Sequence, residues 1–315
     1  MLFMDFCSGI GGGRSGLELN NMKCIGHSEI SQDANKIYQL FYGSNETNFG
    51  DLTKIKINEL PYFDVLICGF PCQTFSIVGK RLGFEDLRGQ IIFHIAEILK
   101  TKKVPMFLLE NVKGLVNHNK GKTLKDIIEL LKSCGYNVDY KVLNSLDFGV
   151  PQMRERVYII GIRKELYKGE FYWDYSNKNA NLLDFLDENN NDILNKDDAT
   201  FNKYLNNKYN KGKYSMDELL KDDYTVIDWR QSDLRLYKNK VPTLRTGRHG
   251  ILYVKNGQLH RLSGYEALLL QGFPKSIAEK AKNCNISNTS LLSLAGNAMT
   301  VPVIAEVCKI LYKRR

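Results

Sequence analysis

The chain begins with LFMDFCSGIGGGRSG, residues 2–16, in which a short apolar run leads directly into a glycine-rich turn. The run at 2–6 has the length and side chains of a buried strand. The turn contains a GxGxxG pattern at Gly11, Gly13 and Gly16. Glycines between a strand and a helix allow a nucleotide to approach the backbone closely, although the pattern alone is a weak signal. Other parts of the sequence are therefore needed to show whether this pattern marks a nucleotide-binding site.

Five further runs of strand length follow within the first 165 residues: CIGHS (24–28), DVLIC (64–68), MFLLE (106–110), DYKVL (139–143) and RVYIIGI (156–162). Amphipathic stretches typical of helices lie near 32–42, 90–101 and 123–133, and the last stops before Gly135, a residue suited to a helix end. Strands that alternate with helices of this length predict an α/β fold with a parallel sheet and crossover helices.

The composition changes after this part. Residues 174–228 contain eleven Asn and twelve acidic residues against seven lysines, whereas residues 230–261 contain eight Lys or Arg against one acid, Asp233. We therefore predict a catalytic and cofactor-binding domain at 1–173 and a second, loop-rich domain at 174–285. The remainder, 286–315, has an apolar helical pattern after Pro302 and is predicted to pack back onto the first domain.

The chain has 315 residues, 43% of them apolar, and a formal net charge of +9. This charge permits a polyanionic partner, and its concentration in one segment favours nucleic acid. Neither a signal peptide nor an uninterrupted apolar segment of membrane-spanning length is present, so we expect a cytoplasmic protein without a membrane partner. The seven cysteines form no CxxC pair and the histidines are scattered, so we expect no metal.

In an open parallel sheet, ligands bind beyond the carboxyl ends of the strands. The residues that directly follow or end the predicted strands are glycines, carboxylates and a thiol, which predicts a single functional rim. They are the turn at 7–16, Glu29, Asp51 in a short segment near 49–52, Gly69 to Cys72, and Glu110.

Two of these side chains suit covalent chemistry. Cys72 follows Pro71 in a tight turn, and Glu110 follows four apolar residues. A thiolate needs positive charge nearby, which Arg154 and Arg156 are placed to supply. A thiol and an acid beside a nucleoside site predict group transfer through a covalent adduct. Each residue also has a plain structural interpretation, as a buried thiol, a solvated strand end or a surface arginine.

Eight blocks in order then carry a resemblance: DFCSGIGGGRSGLE (5–18), GDL (50–52), GFPCQTFS (69–76), GFEDLRG (83–89), ENV (110–112), VPQMRERVYIIG (150–161), RLSGYEALLLQGFP (261–274) and GNAMTVPV (296–303). The chain resembles the bacterial DNA (cytosine-5)-methyltransferases of restriction–modification systems. The blocks cover the first 165 residues and the last 55. The unmatched middle falls where this family has its variable target-recognition region.

The resemblance implies a Rossmann-like methyltransferase sheet with a smaller, loop-rich target-recognition domain. It implies transfer of a methyl group from S-adenosyl-L-methionine to C5 of a cytosine flipped out of double-stranded DNA, at a specific short sequence, with S-adenosyl-L-homocysteine as product. Cys72 would attack C6 of the base and Glu110 would hold N3. Arg156 would contact the cytosine, and Arg154 would contact the nucleophile loop or a phosphate.

By the same matching, the cofactor site would comprise Asp5, Cys7, Ser8, Gly9, Ile10, Gly11, Gly12, Glu29, Ile30, Asp51, Leu52, Gly69, Pro71, Ile91, Asn297, Ala298 and Met299. DNA contacts would come from Gln73, Ser76, Lys80, Arg81 and Arg88 in the loop after the nucleophile. Within the basic segment we select Arg230, Arg245 and Arg248, because arginine is the commonest reader of guanine. The family usually has an aromatic residue where this chain has Cys7, and often a large one where it has Ile30, so the wall around the adenosine is lighter here.

Three alternatives compete with this interpretation. A tRNA cytosine-5-methyltransferase on the same fold lacks support because its typical Cys-Phe-Thr tripeptide does not occur here. A nicotinamide-dependent oxidoreductase would leave the PC, ENV and RER blocks unexplained, and an inactive DNA-binding module would not need Cys72 and Glu110. The expected protein is a monomer that shares its target site with a cognate restriction endonuclease.

Overall fold

The structure is a computed structural model that describes residues 1–70, 90–167, 169–247 and 249–312. Contacts divide the chain into two compact units. The first comprises Met1–Asn144, Glu155–Ser176 and Met299–Arg315, and the second comprises Ser145–Arg154 and Asn177–Ala298. These limits differ from the predicted domain limits in three places, because residues 145–154 and 286–298 belong to the second unit and residues 174–176 belong to the first.

The first unit contains a seven-stranded sheet of order β3-β2-β1-β4-β5-β8-β6. Its strands are β1 (Leu2–Phe6), β2 (Lys23–Ser28), β3 (Thr47–Asn48), β4 (Val65–Gly69), β5 (Met106–Val112), β6 (Tyr136–Asn144) and β8 (Glu155–Arg163). All six predicted strands are confirmed, and the short β3 is an addition.

One strand runs against the others. β8 pairs antiparallel with both β5 and β6, whereas the pairs among β1 to β5 are parallel. The prediction of a wholly parallel sheet is therefore wrong for β8. The cause is the short connection between β6 and β8, residues 145–154, since a parallel return needs a crossover of a dozen or more residues.

Among the described residues, six helices belong to this unit: α1 (Gly12–Glu18), α2 (Gln32–Tyr42), α3 (Gln90–Lys102), α4 (Gly114–Asn117), α5 (Lys122–Ser133) and α11 (Val301–Tyr312). Short 3-10 turns lie at Leu52–Lys54, Ile57–Glu59 and His118–Gly121. The predicted helices α2, α3 and α5 are confirmed, and Gly135 has a positive φ of 97° directly after the last of them. α2 begins where the Ser31 hydroxyl accepts from the Ala34 N–H, and it buries residues 34, 37, 38 and 41 on one face.

The C-terminal helix α11 packs against α1, as predicted for the end of the chain. The approach depends on Gly16, because a Cβ there would lie 2.6 Å from the Ile304 side chain. Residues Asn288–Tyr312 are long and apolar enough to cross a membrane by length and composition, but 72% of the apolar window is buried within the structure. That burial is typical of a core helix.

The second unit contains a five-stranded antiparallel sheet of order β11-β10-β13-β14-β9 and a parallel pair of β7 and β12. These strands are β7 (Gln152–Met153), β9 (Ile193–Leu194), β10 (Thr225–Asp228), β11 (Arg235–Lys238), β12 (Val241–Pro242), β13 (Ile251–Lys255) and β14 (Gln258–Arg261). Its helices are α6 (Ala199–Leu205), α7 (Met216–Leu220), α8 (Gly264–Leu270), α9 (Lys275–Ala278) and α10 (Asn288–Asn297), with 3-10 turns at Ser145–Asp147, Leu182–Phe185 and Glu279–Asn283.

This unit has its own core, although the sequence of 174–228 is polar. Leu194 of β9, Phe201 of α6, Ile227 of β10 and Leu252 of β13 belong to one buried cluster. The apolar residues are few and widely spaced, so periodicity alone does not reveal the sheet.

Candidate active site

The strand order of the first sheet reverses between β1 and β4, because the chain first proceeds outward to β2 and β3 and then returns. Such a switch point is where open α/β sheets bind ligands. Glu29 directly follows β2, Gly69 ends β4, and Glu110 lies opposite Gly69 on β5. The predicted clustering of glycines and carboxylates at the strand ends is confirmed for these residues.

The turn after β1 is held by its own backbone and by Glu29. Cys7, Gly9 and Gly11 have φ angles of 51°, 54° and 83°. The Gly11 N–H donates to the Ser8 carbonyl over 2.9 Å, and the Gly9 N–H donates to Glu29 Oε2 over 2.8 Å. One oxygen of the predicted ribose-binding carboxylate therefore fixes the glycine turn.

Two of the glycines exist to allow close packing. A Cβ on Gly12 would meet the Met299 carbonyl at 2.4 Å, and a Cβ on Gly13 would meet Met299 Cε at 2.8 Å. A Cβ on Gly9 would meet nothing within 4 Å. Gly9 therefore borders open space among the described residues, whereas Met299 packs against Gly12 and Gly13.

This surface suits an adenosyl ligand. Ser8 is buried, and among the described residues its hydroxyl has no hydrogen-bond partner. Ile30, next to Glu29, is 75% exposed and offers an apolar face. Cys7 is partly buried, and its N–H donates to the Ser28 hydroxyl. An apolar surface with a few convergent polar groups is the usual composition of a cofactor site.

Other predicted cofactor residues have supporting positions. Asp5 is fully buried and accepts from the Arg14 N–H over 3.2 Å, and burial raises the pKa of its carboxyl well above the usual range. Partial burial opposes ionisation of Asp51, but hydrogen bonds from Thr53 and the charge of Lys54 hold its pKa below the ordinary value. Three further predicted residues pack in the fold, with Ile10 and Leu52 buried and Ile91 partly buried against the core.

Glu110 and Arg156, two of the predicted catalytic residues, form an ion pair that the sequence did not predict. Glu110 is 8% exposed, and its Oε1 lies 3.2 Å from Arg156 Nε. Arg156 also donates through Nη1 to the Glu155 carbonyl over 2.8 Å. Among the described residues Glu110 Oε1 accepts no hydrogen bond of good geometry, so the ion pair with Arg156 is the contact that holds this oxygen.

The neighbouring Asn111 links this pair to Phe70, which precedes the segment of the predicted nucleophile. Its Nδ2 donates to the Phe70 carbonyl over 2.9 Å, and its Oδ1 accepts from the Val112 N–H. Phe70 is the residue immediately before the Pro-Cys turn. The predicted residues of that loop and one of the basic segment lie outside the described part of the chain: Pro71, Cys72, Gln73, Ser76, Lys80, Arg81, Arg88 and Arg248.

Arg154 lies in the second unit and is 2% exposed. Its guanidinium donates to the carbonyls of Leu244, Gly296 and Ala298 over 3.0–3.2 Å. The charge is therefore engaged by backbone, which departs from the predicted contact with a phosphate. The predicted contact with the nucleophile loop involves residues outside the described ranges.

Gln152, which the sequence did not single out, is buried in the same region. Its Nε2 donates to the Leu270 carbonyl over 2.9 Å, and its Oε1 accepts from the Leu244 N–H over 3.2 Å. A polar residue two positions before Arg154 was the available signal. With Arg154 it fixes the loop that carries Arg245.

That loop also contacts the end of α10. Thr246 Oγ1 donates to Asn297 Oδ1, and a Cβ on Gly296 would meet the Arg245 backbone at 2.8 Å. Arg245 itself is exposed, as a DNA contact requires. Asn297 and Ala298 belong to the second unit, whereas Met299 belongs to the first.

Arg230 does not have the predicted position of a DNA contact. Its side chain is 4% exposed and forms a two-bond ion pair with Asp228, Nε–Oδ1 at 2.7 Å and Nη2–Oδ2 at 2.8 Å. Nη1 donates to the Thr243 carbonyl. The charge of this buried side chain is already neutralised by Asp228, so Arg230 stabilises the segment after β10 instead of binding phosphate.

Among the described residues, no group of three or more His, Cys, Asp or Glu is arranged to hold a metal ion.

The sheet order, the glycine turn and the Glu110–Arg156 pair together define a Rossmann-like methyltransferase. Solved structures agree with this fold. A putative DNA modification methyltransferase encoded within an E. coli prophage superposes with a TM-score of 0.72 at 20% identity, over 100% of this chain and 99% of that chain. The Dnmt2 methyltransferase of S. pombe gives 0.71 at 20% identity, over 99% and 98%.

Sequence comparison is more specific. Residues 1–313 match the family described as C-5 cytosine-specific DNA methylase. The type II methyltransferase M.NgoBI of Neisseria gonorrhoeae is 38% identical over 99% of this chain and 94% of its own length. M.HaeII of Haemophilus aegyptius is 38% identical over 96% and 90%. The chain belongs to the C-5 cytosine-specific DNA methylase family, which confirms the resemblance inferred from the sequence.

Proposed function

We propose that this protein methylates C5 of one cytosine in a specific short sequence of double-stranded DNA through a covalent adduct with Cys72. The observation that carries the proposal is the buried Glu110–Arg156 pair at the carboxyl end of β5. Asn111 ties this pair to the residue that precedes the Pro-Cys turn. A carboxyl group and a guanidinium at this position can hold the polar edge of a cytosine.

S-adenosyl-L-methionine supplies an electrophilic methyl group on its sulfonium. The open space at Gly9, the unpartnered Ser8 hydroxyl and the exposed Ile30 support its binding at the glycine turn. Glu29 would hold the ribose with the carboxylate oxygen that Gly9 does not engage, after displacing the Ser31 N–H from it. No metal enters this proposal.

The protein's residues then account for the chemistry. The Cys72 thiolate bonds to C6, and the C5–C6 double-bond electrons move to C5. Glu110 donates a hydrogen bond or a proton at N3, which stabilises the charge that develops on the ring. C5 then takes the methyl group, and loss of the C5 proton restores the double bond and breaks the C6–S bond. Because this geometry is inaccessible inside a duplex, the cytosine must be flipped out.

The substrate is proposed to be DNA because relatives that are 38% identical over 96–99% of this chain are named as type II methyltransferases. The tRNA methyltransferase alternative rests on fold likeness at 20% identity, which extends to the fold alone. We further propose that the second unit selects the sequence, because the basic segment lies there. Cytoplasmic location, a monomeric state and a cognate endonuclease stay predictions from the sequence.

The adduct is tested with duplex DNA that carries 5-fluorocytosine. Fluorine at C5 cannot leave as a proton, so the wild-type protein should remain bound to the DNA through denaturing electrophoresis in the presence of the methyl donor. Cys72→Ser should form no adduct and transfer no tritiated methyl group, while still binding DNA. Methyl transfer to tRNA but not to any duplex, or an active Cys72→Ala variant, would contradict the proposal.

A further inference from the structure

A cavity among the described residues lies in the second unit, away from the glycine turn and Glu110 in sequence. It has a volume of about 550 Å³, and its lining residues are Thr200, Tyr204, Trp229, Arg230, Gln231 and Ser232. Two come from α6 and four from the segment that follows β10. The segment Trp229–Ser232 is called the β10 loop below.

The β10 loop is held rigidly at its first half. The Trp229 ring packs edge-on against Phe201, with centroids 5.3 Å apart, and against Tyr204 at 5.7 Å. The backbone N–H of Trp229 donates to the Gly250 carbonyl over 3.1 Å. A Cβ on Gly250 would lie 2.9 Å from Nε1 of the Trp229 ring. The tryptophan is therefore enclosed, and the adjacent ion pair of Arg230 fixes the next residue.

The second half of the loop is held by asparagines. Asn210 is 1% exposed, and its Oδ1 accepts from the Leu234 N–H over 2.8 Å. The Ser232 carbonyl accepts from Asn207 Nδ2 over 2.9 Å and from Asn210 Nδ2 over 3.2 Å. Both sides of Gln231 are thus anchored by buried or bonded groups.

Gln231 is different from its neighbours. It lines the cavity, is partly exposed and makes no side-chain hydrogen bond within the described part of the chain. A carboxamide has a donor and an acceptor side by side, in the spacing of N6 and N7 on the major-groove edge of adenine. An uncommitted amide on a preorganised backbone is the arrangement that base recognition needs.

The two segments that line the cavity belong to basic stretches of the sequence, which suits binding to a nucleic acid. Residues 200–213 carry four lysines and no acid, and residues 229–248 carry six Lys or Arg and one acid, Asp233. Lysines and arginines on a surface bind the phosphate backbone without regard to sequence. A neutral amide among these cations adds little to phosphate binding, so its contribution is in discrimination between bases.

From these observations we infer that Gln231 is a specificity-determining residue that reads an adenine in the target sequence of the DNA. The inference rests on the proposed function, since it assumes a DNA substrate. It names a residue that the arginine-based prediction from the sequence did not include. Arg230, which that prediction did include, becomes a positioning residue for Gln231.

The test uses a duplex library in which the positions flanking the cytosine are randomised. The full-length protein and S-adenosyl-L-methionine are added, and methylated cytosines are read by bisulfite sequencing. The wild type should require adenine at one position. Gln231→Ala should lower the preference for adenine there by about 5- to 150-fold, the discrimination expected from one bidentate base contact, while the other positions keep their preferences. Gln231→Glu should move the preference towards cytosine, because a carboxylate accepts from cytosine N4.

The matched control is Gln258→Ala, an exposed glutamine that lines a different cavity of the same unit, and its sequence preferences should equal those of the wild type. If the wild type methylates no duplex, the proposed function fails. If it methylates DNA but Gln231→Ala keeps every preference, or loses rate equally on all sequences, the proposed function stands and this inference is wrong. Thermal melting of each variant separates these outcomes from loss of folding.

Discussion

Two capping boxes in the second unit offer a stability test, because they share the same motif and differ in burial and in the number of donors to the glutamate. Ser263 and Glu266 form one at the start of α8, and Ser215 and Glu218 form the other at the start of α7. In each, the serine hydroxyl accepts from the glutamate N–H and the glutamate carboxylate accepts from the serine N–H. Glu266 is 0% exposed, whereas Glu218 is exposed.

Glu266 accepts five hydrogen bonds. Oε1 accepts from the Asp187 N–H at 3.0 Å and the Tyr253 hydroxyl at 2.8 Å. Oε2 accepts from Asn190 Nδ2 and from the Ser263 N–H and hydroxyl, at 2.7–3.0 Å. Gln has one oxygen, and the Tyr253 hydroxyl can turn to accept from the amide, so Glu266→Gln leaves at least one of these donors without an acceptor, and two where the amide nitrogen replaces Oε2. At about 1–3 kcal/mol for each unsatisfied buried donor, the free energy of unfolding should fall by about 1–6 kcal/mol.

Glu218→Gln should change the free energy of unfolding by less than about 0.5 kcal/mol, because water replaces the lost bonds. Denaturant unfolding can be followed by Trp229 fluorescence in a Trp173→Phe background, since Trp229 belongs to the second unit and Trp173 to the first. Equal losses in the two variants would refute the reasoning from burial.

The pH dependence gives a second readout. Burial raises the pKa of Glu266, against the opposing effect of its hydrogen bonds. The folded state therefore holds this proton more tightly than the unfolded state. The stability that the folded protein gains from the protonated Glu266 is fully present below the unfolded pKa of about 4.3, and it is lost as the pH rises through the folded pKa. The stability difference between wild type and Glu266→Gln should accordingly narrow as the pH rises.

Two further variants test the site and its support. Glu110→Gln should fold and bind DNA but methylate about 10²–10⁴-fold more slowly, as expected for a lost general acid. Glu155→Gln, which changes an exposed acid on the neighbouring strand β8, should be near wild type, and equal rates in the two variants would remove Glu110 from the chemistry. Gly16→Ala should lower the free energy of unfolding by about 1–3 kcal/mol through its clash with Ile304. Gly114→Ala should be tolerated, because among the described residues its Cβ would meet no atom nearer than 3.9 Å. If denaturant unfolding shows no loss of stability for Gly16→Ala, α11 must shift to make room for the added methyl group.

The elements of the first unit could be predicted because their signals are local. Strands β1, β4 and β5 are continuous apolar runs, and α2 and α5 carry one apolar face each, so length and periodicity identify them. The direction of β8 could not be read from its own residues, since an apolar strand has the same pattern in either direction. It depends on the length of the connection from β6 and on which strand edges are free.

The position of the site could also be predicted from the order of the residues, because the carboxyl ends of parallel strands lie at the same edge of a sheet. Glu29, Gly69 and Glu110 could be placed there before any coordinates. The roles of arginines could not, because a guanidinium has the same charge whether it is buried against backbone or exposed to a ligand. Only the tertiary structure shows that Arg154 is bound by carbonyls and Arg230 by Asp228. Burial and partners depend on contacts between residues distant in sequence, and for that reason Gln231 also emerged only from the folded chain.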